Sequence, residues 1–283
     1  MHSEDSLRIV IVSFGAEQFR ALHNTCVNLG HRPVAYAYSR SMRPRKPTDP
    51  GSAQAVAAIT QDLPPGMDLL LPGSAENMAA TLAGYRPDLL LVYGFSWRIP
   101  RSVRKMARLG AINVHTSLLP RYRGPAPVLW AIRNGDPDIG LTVHRMDDTF
   151  DTGPILASRG GIPLADDVTS AGLWQLLAPV VSELVGTALR RVQAGDPGTP
   201  QPEAGASYAG LLEPEFATAD FDRPAATVHN QVRTFRYIGP GRGPVAEIGG
   251  RRLRLLRTSL LPAEGLRVQC ADRPLWITES VPV

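Results

Sequence analysis

The sequence predicts an α/β protein: a Rossmann-like, mostly parallel sheet followed by a small β-rich C-terminal domain. Three observations carry that prediction. Short β-branched apolar runs alternate with stretches of helical composition through most of the chain, the pattern of strands joined by crossover helices. One run, residues 88–93 (DLLLVY), is apolar nearly throughout, as a strand covered on both faces has to be. Beyond a Gly/Pro-rich segment that ends at Ser207, short strands separated by turn residues replace the alternation.

In chain order, residues 7–14 (LRIVIVSF) read as the first strand, closed by Gly15, and helical composition then runs to Leu29 before Gly30 stops it. Residues 33–38 fit a second strand, and 40–50 (RSMRPRKPTDP) an exposed basic, proline-rich loop. Residues 68–71 repeat the strand pattern with less clarity. After the strand at 88–93, residues 99–109 read as a short helix leading into a strand at 111–114. Strands are expected at 141–146 and 155–162, then a helix over about 168–192, bent or broken near Pro179. Residues 193–207 (QAGDPGTPQPEAGAS) read as a linker. The expected division is therefore 1–192 for the main domain, 193–207 for the linker and 208–283 for the C-terminal domain. There a helix is expected at 224–235, with strands at 244–248, 251–258, 266–270 and 275–278, and no internal repeat is visible.

Of 283 residues, 43% are hydrophobic and 20% charged, the balance of a folded soluble protein. No uninterrupted apolar run approaches the ~18 residues of a membrane span. Glu4 and Asp5 stand where a signal peptide carries basic residues, so the cytoplasm, with no membrane partner, is the expected address. Cys26 and Cys270 are too far apart in sequence for a zinc motif and too few for a disulfide framework, and both are expected to be buried. Lys46 and Lys105 are the only lysines, which leaves few candidates for a Schiff base. The first strand-to-helix turn has one glycine, and no G-K-[ST], H-E-x-x-H, C-x-x-C or G-x-S-x-G occurs. Dinucleotide and P-loop phosphate binding are therefore unsupported, and metal-free chemistry is favoured. Between Ser96 and Gly135 lie eight basic residues (Arg98, Arg101, Arg104, Lys105, Arg108, Arg121, Arg123 and Arg133) and no acid. That run fits either a field for anionic ligands or a solvated arginine-rich surface.

The chemistry concentrates in residues 112–156. Asn113 and His115 share one side of a strand by its two-residue period and approach its C-terminal edge, where open α/β sheets bind ligands. Asp147, Asp148 and Asp151 crowd a turn closed by Gly153, supplying a carboxylate able to orient a histidine. By spacing alone the same residues also fit a turn-capping pair and a solvated acidic loop. His144, alternating with Thr142, reads as a core histidine, while His2, His23, His31 and His229 read as structural or exposed.

This stretch resembles the folate-dependent formyltransferases, whose signature runs Asn-x-His, Ser-Leu-Leu-Pro, Arg-Gly and, after a further strand, Asp-x-Gly. Here these are Asn113 and His115; Ser117, Leu118, Leu119 and Pro120; Arg123 and Gly124; and Asp151 and Gly153. The resemblance implies an enzyme that moves a formyl group from 10-formyltetrahydrofolate to an amine without a metal, with Asn113, His115 and Asp151 as catalytic residues. Attack by the amine makes an oxyanion and a developing ammonium, so Asn113 would donate to oxygen, and His115, oriented by Asp151, would donate or relay a proton. The pterin would lie against Tyr93, Phe95, Trp97, Ile99, Met146, Asp147 and Asp148.

Three further stretches look especially like the sugar and aminoarabinose formyltransferases: residues 143–146, residues 228–233 and residues 93–97. The expected acceptor is accordingly a small-molecule amine, such as a nucleotide-linked amino sugar or a secondary-metabolite precursor. Methionyl-tRNA is the alternative, followed by a hydrolase passing the formyl group to water and by a folate-binding module without catalysis. The intact Asn113, His115 and Asp151 set counts against that last reading. Charge disfavours nucleic acid, since residues 213–283 hold ten arginines against eight acids. The cluster from Arg251 to Arg257 and the basic loop from Arg40 to Lys46 keep tRNA open, and the oligomeric state is undetermined.

Overall fold

The computed structural model describes residues 6–38, 50–94 and 99–283. Its first strand, β1 (Arg8–Ser13), is buried on both faces because neighbours flank it and layers cover it. It pairs in parallel with β2 (Arg32–Tyr38) on one side and β4 (Leu89–Tyr93) on the other. Beyond these, β3 (Asp68–Leu70) pairs in parallel with β2, and β5 (Ala111–His115) in parallel with β4. With β6 (Asp138–Arg145) and β7 (Ile155–Pro163) the sheet order is β3-β2-β1-β4-β5-β6-β7, and the chain reverses direction between β1 and β4. Such a reversal is where α/β sheets open a crevice. β6 runs antiparallel to β5, which makes the sheet mixed and sets Asn113 directly opposite His144.

Helices α1 (Ala16–Asn28), α2 (Pro50–Asp62), α3 (Ala75–Tyr85) and α4 (Arg101–Arg104) connect the parallel strands. The Ser74 hydroxyl caps α3 by accepting from the Asn77 N–H at 3.1 Å. One core layer packs Met78, Leu82, Ile99 and Val103 onto Val10, Val12, Leu90 and Val92 of the sheet. The helix expected over 99–109 is cut to four residues. Its later amides reach back only three positions, Met106 N–H to Val103 O and Gly110 N–H to Ala107 O, so the segment tightens into turns.

Helix α5 (Pro127–Asn134) precedes β6, and α6 (Ser170–Gln193) follows β7. α6 corrects the expectation of a break, because it runs unbroken through Pro179. Buried residues continue at helical spacing on both sides of the proline, Leu173 and Leu177 before it and Val181, Val185 and Leu189 after it, and this packing outweighs one lost backbone hydrogen bond. α6 is long and apolar enough to cross a membrane by length and composition, and half of its most apolar window is buried within the protein.

The chain forms two compact units, Met1–Pro125 with Gly140–Arg159 and Ala178–Tyr208, and Ala126–Ile139 with Gly160–Leu177 and Ala209–Val283. The second holds an antiparallel four-stranded sheet in the order β10 (Leu266–Gln269), β11 (Pro274–Pro282), β9 (Arg251–Ser259), β8 (Val245–Ile248). Helix α7 (Ala225–Ile238) buries Val228 and Val232 against Ala246, Leu255, Leu275 and Ile277 of that sheet. Both cysteines are buried, and burial pushes the Cys26 thiol up to about 12.

Candidate active site

Strand pairing alone brings four polar side chains to one face. Asn113 and His115 alternate on β5, and the antiparallel register places His144 opposite Asn113 and Thr142 opposite His115. All four are buried. Polar groups in such a place need partners, and each imidazole has a carbonyl fixing one nitrogen. His115 Nε2 lies 2.8 Å from the Tyr122 carbonyl oxygen, and His144 Nδ1 lies 2.8 Å from that of Arg145. A carbonyl only accepts, so both of these nitrogens carry hydrogen and donate. The other nitrogens, His115 Nδ1 and His144 Nε2, face one carboxylate, Asp151, at 3.6 and 3.4 Å.

Asp151 reaches this face from the loop after β6. It adopts a left-handed backbone conformation, φ 53°, that is costly for a non-glycine residue. Gly153 makes the turn possible: a Cβ there would stand 1.9 Å from the Arg145 carbonyl oxygen. The carboxylate accepts from the Gly124 N–H at 2.8 Å and from Asn113 Nδ2 at 3.4 Å. Burial pushes its pKa up, but the neighbouring His115 and His144 imidazoles and the Gly124 amide outweigh that and hold it down to about 2. His115 is lowered, first by burial and then by the neighbouring His144, against the pull of Asp151. An ionised carboxylate thus faces two imidazole nitrogens, each ring being held at its other nitrogen by a backbone carbonyl.

The loop 117–124 delivers the groups that hold these partners. Ser117 Oγ donates to the Arg121 carbonyl at 2.6 Å, and Thr142 Oγ1 to that of Ser117 at 2.7 Å. Leu119 donates its N–H to Thr142 Oγ1, and the Leu119–Pro120 bond is cis. Leu118 is partly exposed beside Gly140. Arg123 sets its guanidinium on Gln201 Oε1 at 3.1 and 3.0 Å. Gln201 had no signal in the sequence beyond a Gly/Pro-rich context. Its Nε2 donates to the Asp151 and Gly153 carbonyls at 2.8 Å each, so residues 193–207 include a side chain that supports the acidic turn.

The residues expected around a pterin are only partly gathered. Tyr93 ends β4 with its ring edge-on to Phe14, 5.6 Å between centroids. Ile99 is fully buried, and Met146 packs on the same core layer. Asp147 accepts from Thr149 N–H and Thr152 Oγ1, and Asp148 pairs with Arg104. Phe95 and Trp97, like the basic loop from Arg40 to Lys46, lie outside the described residues. The basic run between Ser96 and Gly135 is less free than its sequence implies. Arg104, Arg108, Arg123 and Arg133 contact Asp148, Asp88, Glu203 and Glu213, all of which lie outside the counted window.

Fold and side-chain cluster together define a Rossmann-like transferase with a small antiparallel C-terminal sheet. The family is more particular: residues 7–175 match the family described as formyl transferase, and the chain belongs to it. The methionyl-tRNA formyltransferase of Janthinobacterium sp. (strain Marseille) is 33% identical over 250 residues, covering 81% of this chain and 78% of that protein. Among solved structures, HypX from Aquifex aeolicus in complex with tetrahydrofolic acid matches with a TM-score of 0.65 at 19% identity, over 97% of this chain and 44% of that one. This chain thus spans less than half of HypX. A sugar N-formyltransferase from Shewanella sp FDAARGOS_354 matches with a TM-score of 0.63 at 17% identity, over 92% and 99% of the two chains. At those identities the likeness is one of fold.

The comparison corrects the preference for a small acceptor without nucleic acid. Methionyl-tRNA formyltransferases from eight bacteria share 32–36% identity with the chain, which favours a tRNA partner. The charge count misled because a net charge averages over all faces. Glu279 already pairs with Arg257 and Asp220 with Arg223, while Arg251 and Arg252 stand exposed on β9.

Proposed function

We propose that this protein formylates the methionyl group of an aminoacylated tRNA, with 10-formyltetrahydrofolate as the donor. The observation that carries the reading is 33% identity to a methionyl-tRNA formyltransferase over 81% of the chain. The donor supplies a formyl carbon open to attack by an amine. The chemistry of the cluster fits that group: an amide N–H donor and an imidazole each stand within 3.6 Å of one ionised carboxylate.

As the amine nitrogen bonds to the formyl carbon, negative charge grows on the formyl oxygen and positive charge on nitrogen. Asn113 Nδ2 donates to the oxygen, in a buried setting where a fixed donor acts most strongly. His115 takes up the proton the nitrogen must lose, and Asp151, still ionised, stabilises the imidazolium so formed. As the oxyanion collapses, the bond from the formyl carbon to the donor's N10 breaks and the proton passes to that nitrogen, releasing tetrahydrofolate. Tyr93, Met146, Asp147 and Asp148 would border the donor's ring system when it binds.

The test offers the protein 10-formyltetrahydrofolate and charged initiator tRNA at physiological salt, where nonspecific contacts are weak. Formyl-methionyl-tRNA should accumulate, and uncharged tRNA should give no product. Release of tetrahydrofolate with a free amine but none with charged tRNA would overturn the acceptor, and no release with any amine would overturn the reaction.

A further inference from the structure

The antiparallel register puts a second histidine against Asn113, and it is a residue that the formyltransferase signature does not contain. We propose that His144 is a positioning residue: together with Asp151 it holds the Asn113 amide nitrogen inward, so that one N–H is anchored and the other is left for the reacting oxygen. This inference rests on the reading of Asn113 as the donor to that oxygen.

The geometry carries it. Asn113 Nδ2 lies 3.3 Å from His144 Nε2 and 3.4 Å from Asp151 Oδ1, and those two acceptors are 3.4 Å apart. The three atoms form a nearly equilateral triangle, so both acceptors sit within a wedge of about 60° as seen from the amide nitrogen, whereas its two hydrogens diverge by about 120°. A hydrogen aimed between the two acceptors serves both, and the second then points away from them. The opposite amide orientation would press oxygen against a carboxylate and a bare ring nitrogen. His144 Nε2 is bare because Nδ1 carries the proton given to the Arg145 carbonyl. His144 is 1% exposed and meets the His115 ring edge-on, 6.3 Å between centroids. The charged or titratable groups facing it are Asp151, from the loop after β6, and His115, from β5.

The ring state can be read without turnover. In ¹⁵N-histidine spectra of the native protein at neutral pH, His144 should show Nδ1 protonated and Nε2 bare; the opposite tautomer, or a charged ring, would overturn the inference. In transfer assays, His144→Phe should lower kcat about tenfold while the KM for the formyl donor stays within about twofold. His144→Gln, which offers an acceptor oxygen in place of Nε2, should recover most of that loss. If His144 acts through Asn113, the Asn113→Ala/His144→Phe double variant will be no slower than Asn113→Ala alone, while multiplying effects would overturn the inference. Should His144→Phe fail to fold, the tautomer and His144→Gln decide alone. A native protein that transfers no formyl group would sink the functional reading, and the tautomer would still judge the placement of His144.

Discussion

Two carboxylates in this molecule each face a buried histidine, in opposite electrostatic settings. In the second compact unit, Asp166 accepts from His229 Nε2 at 2.7 Å and lies 3.3 Å from Arg233 Nε, while its side chain is 70% exposed. His229 Nδ1 meets the Thr258 hydroxyl at 2.8 Å, and Arg233 and Arg236 donate to the Asp166 backbone carbonyl. Both ring nitrogens of His229 have a partner there, and Arg233 faces the exposed carboxylate. Asp151 is nine-tenths buried and, among the described residues, pairs with no arginine or lysine; what faces it are two imidazole nitrogens whose hydrogens are spent on the far side of each ring. The same residue types make a rivet when a permanent positive charge is supplied and a proton-accepting site when it is withheld.

The sharpest break in that comparison is a matched pair of substitutions. Asp151→Asn should lower kcat by about 10⁴, the scale seen when the carboxylate orienting a catalytic histidine is neutralised. Asp166→Asn should leave transfer within about twofold and instead lower the unfolding midpoint by a few degrees, since so exposed a pair contributes at most about 1 kcal/mol. Equal losses of turnover in both would erase the distinction. Next in size, Asn113→Ala should cost about 10² to 10³ in kcat as a lost oxyanion donor, with donor KM little changed.

Gly153→Ala should destabilise the fold by about 1–3 kcal/mol, because its methyl group meets backbone rather than a side chain able to move; chemical denaturation will read it. The smallest effect is one of pH. His115 has its pKa lowered from 6.5 in the folded chain, so the unfolded chain binds its proton first as pH falls. Stability from this group is full above 6.5 and drains away below it. Thermal midpoints measured against pH should therefore fall less steeply on the acid side in His115→Gln than in the native protein. His31, also lowered by burial, keeps part of the slope.

What the sequence disclosed follows how local each signal was. The period of two placed Asn113 and His115 on one face, and the apolar runs placed β1, β4 and β5 within a residue or two of their ends. The antiparallel turn of β6 had no local mark, so the opposition of His144 to Asn113 was invisible, and a buried histidine read as core. Pro179 carried a strong local signal that tertiary burial overrode. Arg104, Arg108 and Arg123 counted as free charge until the fold brought in their acidic partners. Gln201 stood out least, since its role depends wholly on which carbonyls lie across from it.

That glutamine bears on the order of synthesis. A chain emerging from the ribosome exposes Asn113, His115 and Asp151 early and then makes all of α6 before Gln201 appears, while Ser207, which accepts from the Tyr122 N–H at 2.9 Å, comes later still. The nascent protein thus carries its reactive groups for some fifty residues of translation, a few seconds at ordinary elongation rates, before the carbonyls of the acidic turn are tied down. The carbonyls of the acidic turn are tied down only when the segment after α6 has been delivered, so a chain truncated at the end of α6 carries that turn without its clasp.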